Sequence, residues 1–309
     1  MKTYSSQRGI ALLTAILVLT LAVIAATSIS ANHHLSIRRT ENIVFGSQVW
    51  SYLHGGEAWA KVVLARDIDD DNDYDHISEA WATELPALPL PGGYISGKIE
   101  DEQSKINVNN LILGEEVDIL TRKRLETLFA LREQDPTLVQ AIIDWIDPNV
   151  EAIPPNGAED DYYTGLEYPY LTANQPMQHI SELRLVRGIT QEIYDDISPF
   201  LTALPSGTAV NINTAEADVL ASIVPDLGID NARNLVDERE AEAFDSVQEF
   251  ITHPLLQGLT IELQALSTES SFFTLSSEIK VGNSFIRNKS VLNRSSNTNI
   301  TVISRVPVI

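Results

Sequence analysis

Carboxylates are the groups in this sequence whose spacing comes closest to chemistry. Residues 67–75 read DIDDDNDYD, with acids at alternate positions in the manner of a loop that wraps a calcium ion. A helix–loop–helix calcium loop starting at Asp69 needs Gly at its sixth position and Glu at its twelfth; Tyr74 and Ala80 stand there instead. The run therefore reads as a solvated loop. The six histidines (His33, His34, His54, His76, His179 and His253) show no metal-ligand spacing. There is no Gly-x-Ser-x-Gly nucleophile elbow and no phosphate-cradling Gly loop. With no cysteine, the chain has neither thiolate chemistry nor a disulfide framework. Nothing in these patterns points to an enzyme.

The charge balance narrows the partners. There are 21 basic residues against 43 acidic ones, for a formal charge of -22. A phosphate backbone needs clustered Lys and Arg, so nucleic acid is disfavoured. One segment tests this directly. Residues 210–250 resemble the helix-hairpin-helix modules of DNA-uptake proteins, which aim backbone N–H groups at a phosphate. Here the hairpin Pro225-Asp-Leu-Gly-Ile229 has one Gly and an inserted Asp226. Asp230, Asp237, Glu238 and Glu240 surround Arg233 and Arg239. The fold fits that module, but the phosphate site looks lost.

The elements that must carry these residues begin with the N-terminus. MKTYSSQRG is polar and basic, and an apolar run follows over residues 10–29. About 20 apolar residues span the ~30 Å hydrocarbon core, and Lys2 and Arg8 before the run should stay cytoplasmic. An ordinary secretory signal is cleaved after its apolar region. Here the expected processing point, Gly9–Ile10, precedes it, which resembles the leader of type IV pilins and type II secretion pseudopilins. A plain, uncleaved signal anchor is the alternative. Helical spacing of apolar residues continues without Pro through residues 31–65, so the helix should extend beyond the membrane.

Residues 85–93 (LPALPLPGG) read as a turn-rich linker and residues 94–102 as a strand. Helices are expected over 115–131, 136–146, 180–185, 191–200, 215–223, 230–240 and 247–252, with Thr214 capping the fifth. Residues 272–281, 284–292 and 299–307 read as three antiparallel strands with turns at Gly282-Asn283 and 295–297. Residues 105–111 (KINVNNL) echo 209–215 (AVNINTA), where Asn side chains can form local turns before a helix. The expected class is α+β: a pilin-like fold, with a long N-terminal helix packed on an antiparallel sheet. A large all-α domain of helix-hairpin-helix or SAM-like type is inserted. The expected boundaries are 1–9 leader, 10–30 membrane helix, 31–104 first part of the pilin-like domain, 105–267 inserted domain, and 268–309 final strands.

Several motifs now coincide in order and spacing: the leader, the INVNN stretch, Asp144-Trp-Ile-Asp147, Gly157-Ala-Glu-Asp-Asp161, Glu182-Leu-Arg-Leu-Val-Arg-Gly188 and Val210-Asn-Ile-Asn-Thr-Ala215. Together they resemble the general secretion pathway protein K family, the large minor pseudopilins of type II secretion. The resemblance implies cleavage by the prepilin peptidase between Gly9 and Ile10, and methylation of Ile10. It implies an inner-membrane anchor with the bulk in the periplasm. Assembly would begin at the inner-membrane platform, with minor pseudopilins I and J as partners at the pseudopilus tip, where export of folded proteins is driven. Pilins usually carry Glu at the fifth mature position, paired with the neighbouring subunit's amine; here it is Thr14. Either nothing lies ahead of this subunit or the contact is dispensable. A minor pilin of a type IV pilus is the alternative role.

The family resemblance also implies calcium in the helical domain. The matching segment, residues 144–174, offers Asp147, Asn149, Glu151, Glu159, Asp160 and Asp161. Such a loop suffers carboxylate repulsion that a divalent ion relieves. N-terminal sequencing of the protein extracted from membranes should begin at Ile10; retention of Met1 would return the apolar run to a plain anchor.

Overall fold

The structure is a computed structural model that describes residues 8–69 and 74–308. The leader through Gln7 and the centre of the acidic run, residues 70–73, lie outside the described residues. Helix α1 (Arg8–Asp69) is continuous. Among the described residues it is the one helix long and apolar enough to cross a membrane. Residues 10–44 are exposed along their whole circumference. Beyond them one face is covered: Val49, Leu53, Ala60 and Leu64 are each at most 4% exposed. Their spacing keeps them on one side of the helix.

A single hairpin follows, β1 (Leu85–Leu90) and β2 (Gly93–Asp101). The chain then leaves the sheet for a helix-rich block. It runs β3 (Ile106–Asn107), β4 (Ile112–Leu113), β5 (Glu116–Val117), α2 (Ile119–Leu131), α3 (Leu138–Ile146), α4 (Asp160–Tyr163), α5 (Gln191–Ile197) and β6 (Leu201–Thr202). It continues as β7 (Val210–Asn211), α6 (Ala217–Ile223), α7 (Ile229–Ala241), α8 (Val247–Thr252) and β8 (Leu266–Ser267). Strands β9 (Phe272–Val281), β10 (Ser284–Ser296) and β11 (Asn299–Val308) return to the first hairpin. The sheet order is β1-β2-β9-β10-β11, and every pairing in it is antiparallel.

The sheet and α1 share two small cores. Leu53 and Val49 meet Ile279 and Val281, while Ala60 and Leu64 meet Trp81, Ile99, Phe273 and Leu292. The turn between β9 and β10 fits under the helix because Gly282, at φ +55°, has no side chain; a Cβ there would lie 2.6 Å from the Phe45 ring. Glu57 sits on the same buried face. Arg305 of β11 binds it through both carboxylate oxygens, at 2.7 and 2.9 Å, and Ser290 of β10 donates at 2.8 Å. Burial pushes the Glu57 carboxyl up, but the hydrogen bonds from Arg305, Ser290 and His54 outweigh it and hold the pKa at about 2. The helix-rich block has its own, larger core, from Ile106 to Leu256.

Several sequence expectations are revised. Residues 85–90 are an edge strand, not a linker; the missing N–H groups of Pro86 and Pro89 are tolerated at a sheet edge, and the register shifts between Leu85 and Leu88. The helix expected from 115 starts at Ile119, because Glu116–Val117 pair with β4 and Asp118 caps the helix through Thr121 N–H at 2.7 Å. Residues 180–185 form a 3-10 helix. Thr214 does not cap the following helix: its hydroxyl donates to Asp101 at 2.5 Å, and the N-cap is Glu216. The block is predominantly helical but holds short two-stranded pairs, so it is not all-α.

The Asn-rich echo is a structural repeat. β3 pairs in parallel with β6, and β7 in parallel with β8. Asn107 Oδ1 accepts from Asn109 N–H at 3.1 Å, and Asn211 Oδ1 from Asn213 N–H at 2.9 Å. Asn109 then bonds both N–H and C=O of Met177, and Asn213 does the same to Phe244. Two units thus open with the same turn and close with a parallel strand. The carboxamide mimics a strand edge in each.

The block enters and leaves the sheet at one place, because Asp101 and Phe273 are cross-strand partners. A buried polar node closes that place. Asp101 accepts from Gln103 N–H (2.7 Å), Ser270 Oγ (2.7 Å) and Asn211 Nδ2 (3.3 Å). Asp75 accepts from Ser270 N–H at 2.6 Å, and Arg294 of β10 pairs with both Asp75 and Asp67. The flanks of the acidic run are therefore not a solvated loop. They are held by an arginine that also lies over the Phe273 ring at 4.6 Å. Arg294→Met keeps much of the stem but strands two buried carboxylates, and should cost about 3–5 kcal/mol in denaturant unfolding. A change within about 0.5 kcal/mol, the size of an ordinary surface substitution, would show the node to be dispensable.

Candidate metal centre

Helix α3 is buried along its whole length, Leu138–Ile146, and its apolar residues put an acid, Asp144, in the core. Asp147, three residues on, is the C-cap and shares a helix face with it. The chain then loops back through Gly157 to Glu159, the N-cap of α4, and on to Asn174. The three carboxylates are 0, 2 and 6% exposed for Asp144, Asp147 and Glu159.

Each carboxylate has one oxygen engaged. Asp144 Oδ2 accepts from Ile153 N–H at 3.0 Å, Asp147 Oδ1 from Asn149 N–H at 3.2 Å, and Glu159 Oε2 from Thr172 Oγ1 at 3.4 Å. The loop closes tightly around Asp144: a Cβ at Gly157 would stand 2.1 Å from Asp144 Oδ2. The second oxygens, Asp144 Oδ1, Asp147 Oδ2 and Glu159 Oε1, are buried without a donor, as is Asn174 Oδ1. Asn174 is held in the left-handed region, at φ +45°, by its N–H bond to Trp145 O at 3.1 Å. Trp145, Tyr163 and Tyr170 pack edge-on around this loop, and Arg187 is spent on Gly157 O (2.9 Å) and the Tyr162 ring.

The electrostatics follow from this enclosure. Burial pushes Asp144 up to about 6 and Glu159 up to about 7; the charges of Asp144 and Asp147 add to the rise at Glu159. Burial also raises Asp147. No Lys, Arg or His forms an ion pair with these three among the described residues. Three buried carboxylates and a carboxamide each keep an oxygen lacking a donor, and oxygens of this kind suit a hard cation such as calcium. Nitrogen and sulfur donors are absent from the set, so zinc does not fit.

The sequence-expected ligands divide. Asp147 and Glu159 belong to the set. Asn149 is exposed and its Oδ1 accepts from Glu151 N–H at 2.7 Å; Glu151 and Asp161 are exposed. Asp160 Oδ1 is taken by the N–H (2.9 Å) and hydroxyl (2.7 Å) of Thr172, which hold its carboxyl below the usual range. Asp144 and Asn174, not among the expected ligands, are the further groups with a buried oxygen lacking a donor. The i, i+3 spacing of Asp144 and Asp147 was the available signal for the first.

Among the described residues, the acids whose oxygens lie within 4.8 Å of one another are instead Asp67, Asp75 and Glu79. Arg294 already supplies their counter-charge, and Glu79 Oε2 accepts from Trp81 Nε1 at 2.5 Å. In the α6–α7 hairpin, Gly228 has the positive φ of a helix entry. Its cations are nonetheless spent: Arg239 is 4% exposed and donates to Ile212 O, and Arg233 pairs with Asp230. Thr14 Oγ1 donates to Ala11 O at 3.0 Å, so the hydroxyl is satisfied within its own helix.

Raised carboxyls bind protons more tightly in the folded chain than in the unfolded one. Without a cation, stability is therefore fully present below about pH 4 and falls as pH rises toward about 7. Asp144→Asn with Glu159→Gln should remove their share of that fall, leaving the share of Asp67 and Asp101, and make the chelated protein about 2 kcal/mol more stable than the parent at neutral pH. It should also abolish stabilisation by calcium. Thermal unfolding at acid and neutral pH, in chelator and in calcium, reads both effects; an unchanged pH slope in the variant would overturn the assignment.

The sequence and fold also match known proteins. Two family models, both described as type II secretion system (T2SS), protein K, match over residues 104–206 and 210–269, dividing where the two Asn-opened units divide. The chain is 32% identical to type II secretion system protein K of Aeromonas hydrophila, covering 97% of each chain. It is 31% identical to that of Pseudomonas aeruginosa, covering 97% of this chain and 92% of the relative. Its fold superposes on a chain of the crystal structure of the GspK-GspI-GspJ complex of the enterotoxigenic Escherichia coli type 2 secretion system. The TM-score is 0.80 at 25% identity, covering 88% of this chain and 99% of that one. The long helix, the antiparallel sheet and the Asn-opened repeat thus belong with a near full-length sequence match: this chain belongs to the type II secretion system protein K family.

Proposed function

We propose that this minor pseudopilin caps the pseudopilus tip together with minor pseudopilins I and J. The observation that carries the reading is the match in fold, over 99% of the other chain, to a structure of a GspK-GspI-GspJ complex. Two physical features support it. The exposed stretch of α1, residues 10–44, is apolar over its first half and needs a membrane or partner helices around it. The helix-rich block between β2 and β9 is larger than the sheet that carries it, and such bulk suits an end better than the interior of a filament. Thr14 fits the same place, since it offers no carboxylate to a subunit ahead.

In this reading the prepilin peptidase cuts between Gly9 and Ile10, Ile10 is methylated, and the chain starts from the inner-membrane assembly platform with its bulk in the periplasm. The inserted block is of helix-hairpin-helix type with its phosphate site lost. Asp144, Asp147, Glu159 and Asn174 hold a calcium ion, with backbone carbonyls and waters completing the shell. The ion supplies counter-charge and rigidity to the loop from Asp147 to Asn174; it takes part in no reaction. The role is mechanical, not enzymatic.

Coexpression of the full-length chain with the cognate I and J proteins should yield a ternary complex that survives affinity purification and size exclusion. Failure of the three to associate, with each folded, would overturn the tip assignment.

A further inference from the structure

The outer end of the exposed helix carries charge that the rest of the molecule does not use. Residues 31–40 (ANHHLSIRRT) hold two arginines and two histidines and no acid, in a chain of formal charge -22. His33, His34, Arg38 and Arg39 are all exposed on α1, and none makes an ion pair or side-chain hydrogen bond within the described residues. Glu41, the next acid along the helix, is exposed and pairs with none of them.

Their height above the membrane is set by helix geometry. With the apolar run ending at Ile29, Arg38 lies about 13 Å further along the axis at ~1.5 Å per residue. Side chains on a helix lean toward its N-terminus, here the membrane side, so the guanidinium groups reach back over the preceding turn. That brings them to the headgroup layer, which adds about 5–8 Å to each side of the hydrocarbon core. Their directions matter as much. At ~100° per residue, His33, His34, Arg38 and Arg39 point to about 0, 100, 140 and 240° around the axis. A partner helix reads one face; a ring of lipid headgroups surrounds the helix. The donors form a collar, not a stripe, and the fixed positive charge in it is that of Arg38 and Arg39.

We propose that this collar binds the phosphates of anionic phospholipids in the periplasmic leaflet, and so sets the depth at which α1 waits in the bilayer before assembly. The inference rests on the membrane-spanning, exported reading of α1. Each arginine at an anionic surface favours binding by up to about fivefold, and salt should screen the effect.

The test uses the full-length chain, in parent and Arg38→Gln/Arg39→Gln forms, reconstituted in phosphatidylcholine vesicles. Traces of spin-labelled phosphatidylglycerol or phosphatidylcholine report the lipid held at the protein surface. The parent should retain phosphatidylglycerol preferentially, and the preference should fall toward parity in high salt and in the variant. Equal retention of the two lipids by the parent, or an undiminished preference in the variant, would overturn the proposal and leave the collar to a protein partner. Extraction of the parent by carbonate would instead sink the spanning reading, and the collar with it. Complex formation with I and J is read separately and does not depend on this outcome.

Discussion

The buried node around Asp101 and Arg294 is the constraint on which the rest of the molecule depends. A helix-rich block larger than its host sheet is inserted between two paired strands. Such an insertion is free to pivot unless its two ends are held. Asp101 at the end of β2, Asn211 and Thr214 from the block, and Ser270 before β9 share one set of hydrogen bonds. Arg294 of β10 ties the same place to Asp67, near the end of α1, and to Asp75 beyond it. Burial raises Asp101 to about 6, yet four donors surround it, so the group is held by geometry more than by charge. Block, sheet and long helix therefore meet at one point and fix one another.

The molecule solves buried charge in two ways. At Glu57 and at Asp67–Asp75 an arginine from the C-terminal strands supplies the counter-charge, and the acids anchor α1 to the sheet. At Asp144, Asp147 and Glu159 no cation forms an ion pair among the described residues, and an oxygen of each is left without a donor. Leaving such groups unmatched costs far more than leaving a surface acid unpaired. In the first arrangement the counter-charge comes from the protein itself, although burial and the neighbouring Glu79 still push Asp67 up to about 7. The second leaves the packing of α3 and its loop with buried oxygens that the described protein groups do not match.

Helix α1 divides along its length for the same reason that a membrane protein divides from a soluble one. Below Val44 its side chains have no protein neighbours; above it they pack on the sheet. The polar groups inside the apolar half, Thr14, Thr20 and Thr27, satisfy themselves on the preceding turn. The apolar half thus carries no unmet threonine donor, while Glu57 holds the later half of the helix to the sheet.

Local patterns determined a large part of this by themselves. The apolar run, the missing prolines and the period of the apolar residues specify α1, because helix formation depends on neighbours three and four residues apart. Strands β2 and β9 were legible from alternation, and the Gly282 turn from its dipeptide. The order of short motifs was enough for the family. Tertiary structure decided what depends on distant partners. Residues 85–90 are a strand because β2 offers them an edge, not because proline favours it. Thr214 serves Asp101 rather than its own helix. Asp67 and Asp75, acids in a run that reads as solvated, are buried because Arg294 lies more than two hundred residues away. The buried oxygens without donors include those of Asp144 and Asn174, outside the most acidic part of the loop. Acid count measures local charge, whereas a metal centre needs buried oxygens without donors, and burial is a property of the whole fold.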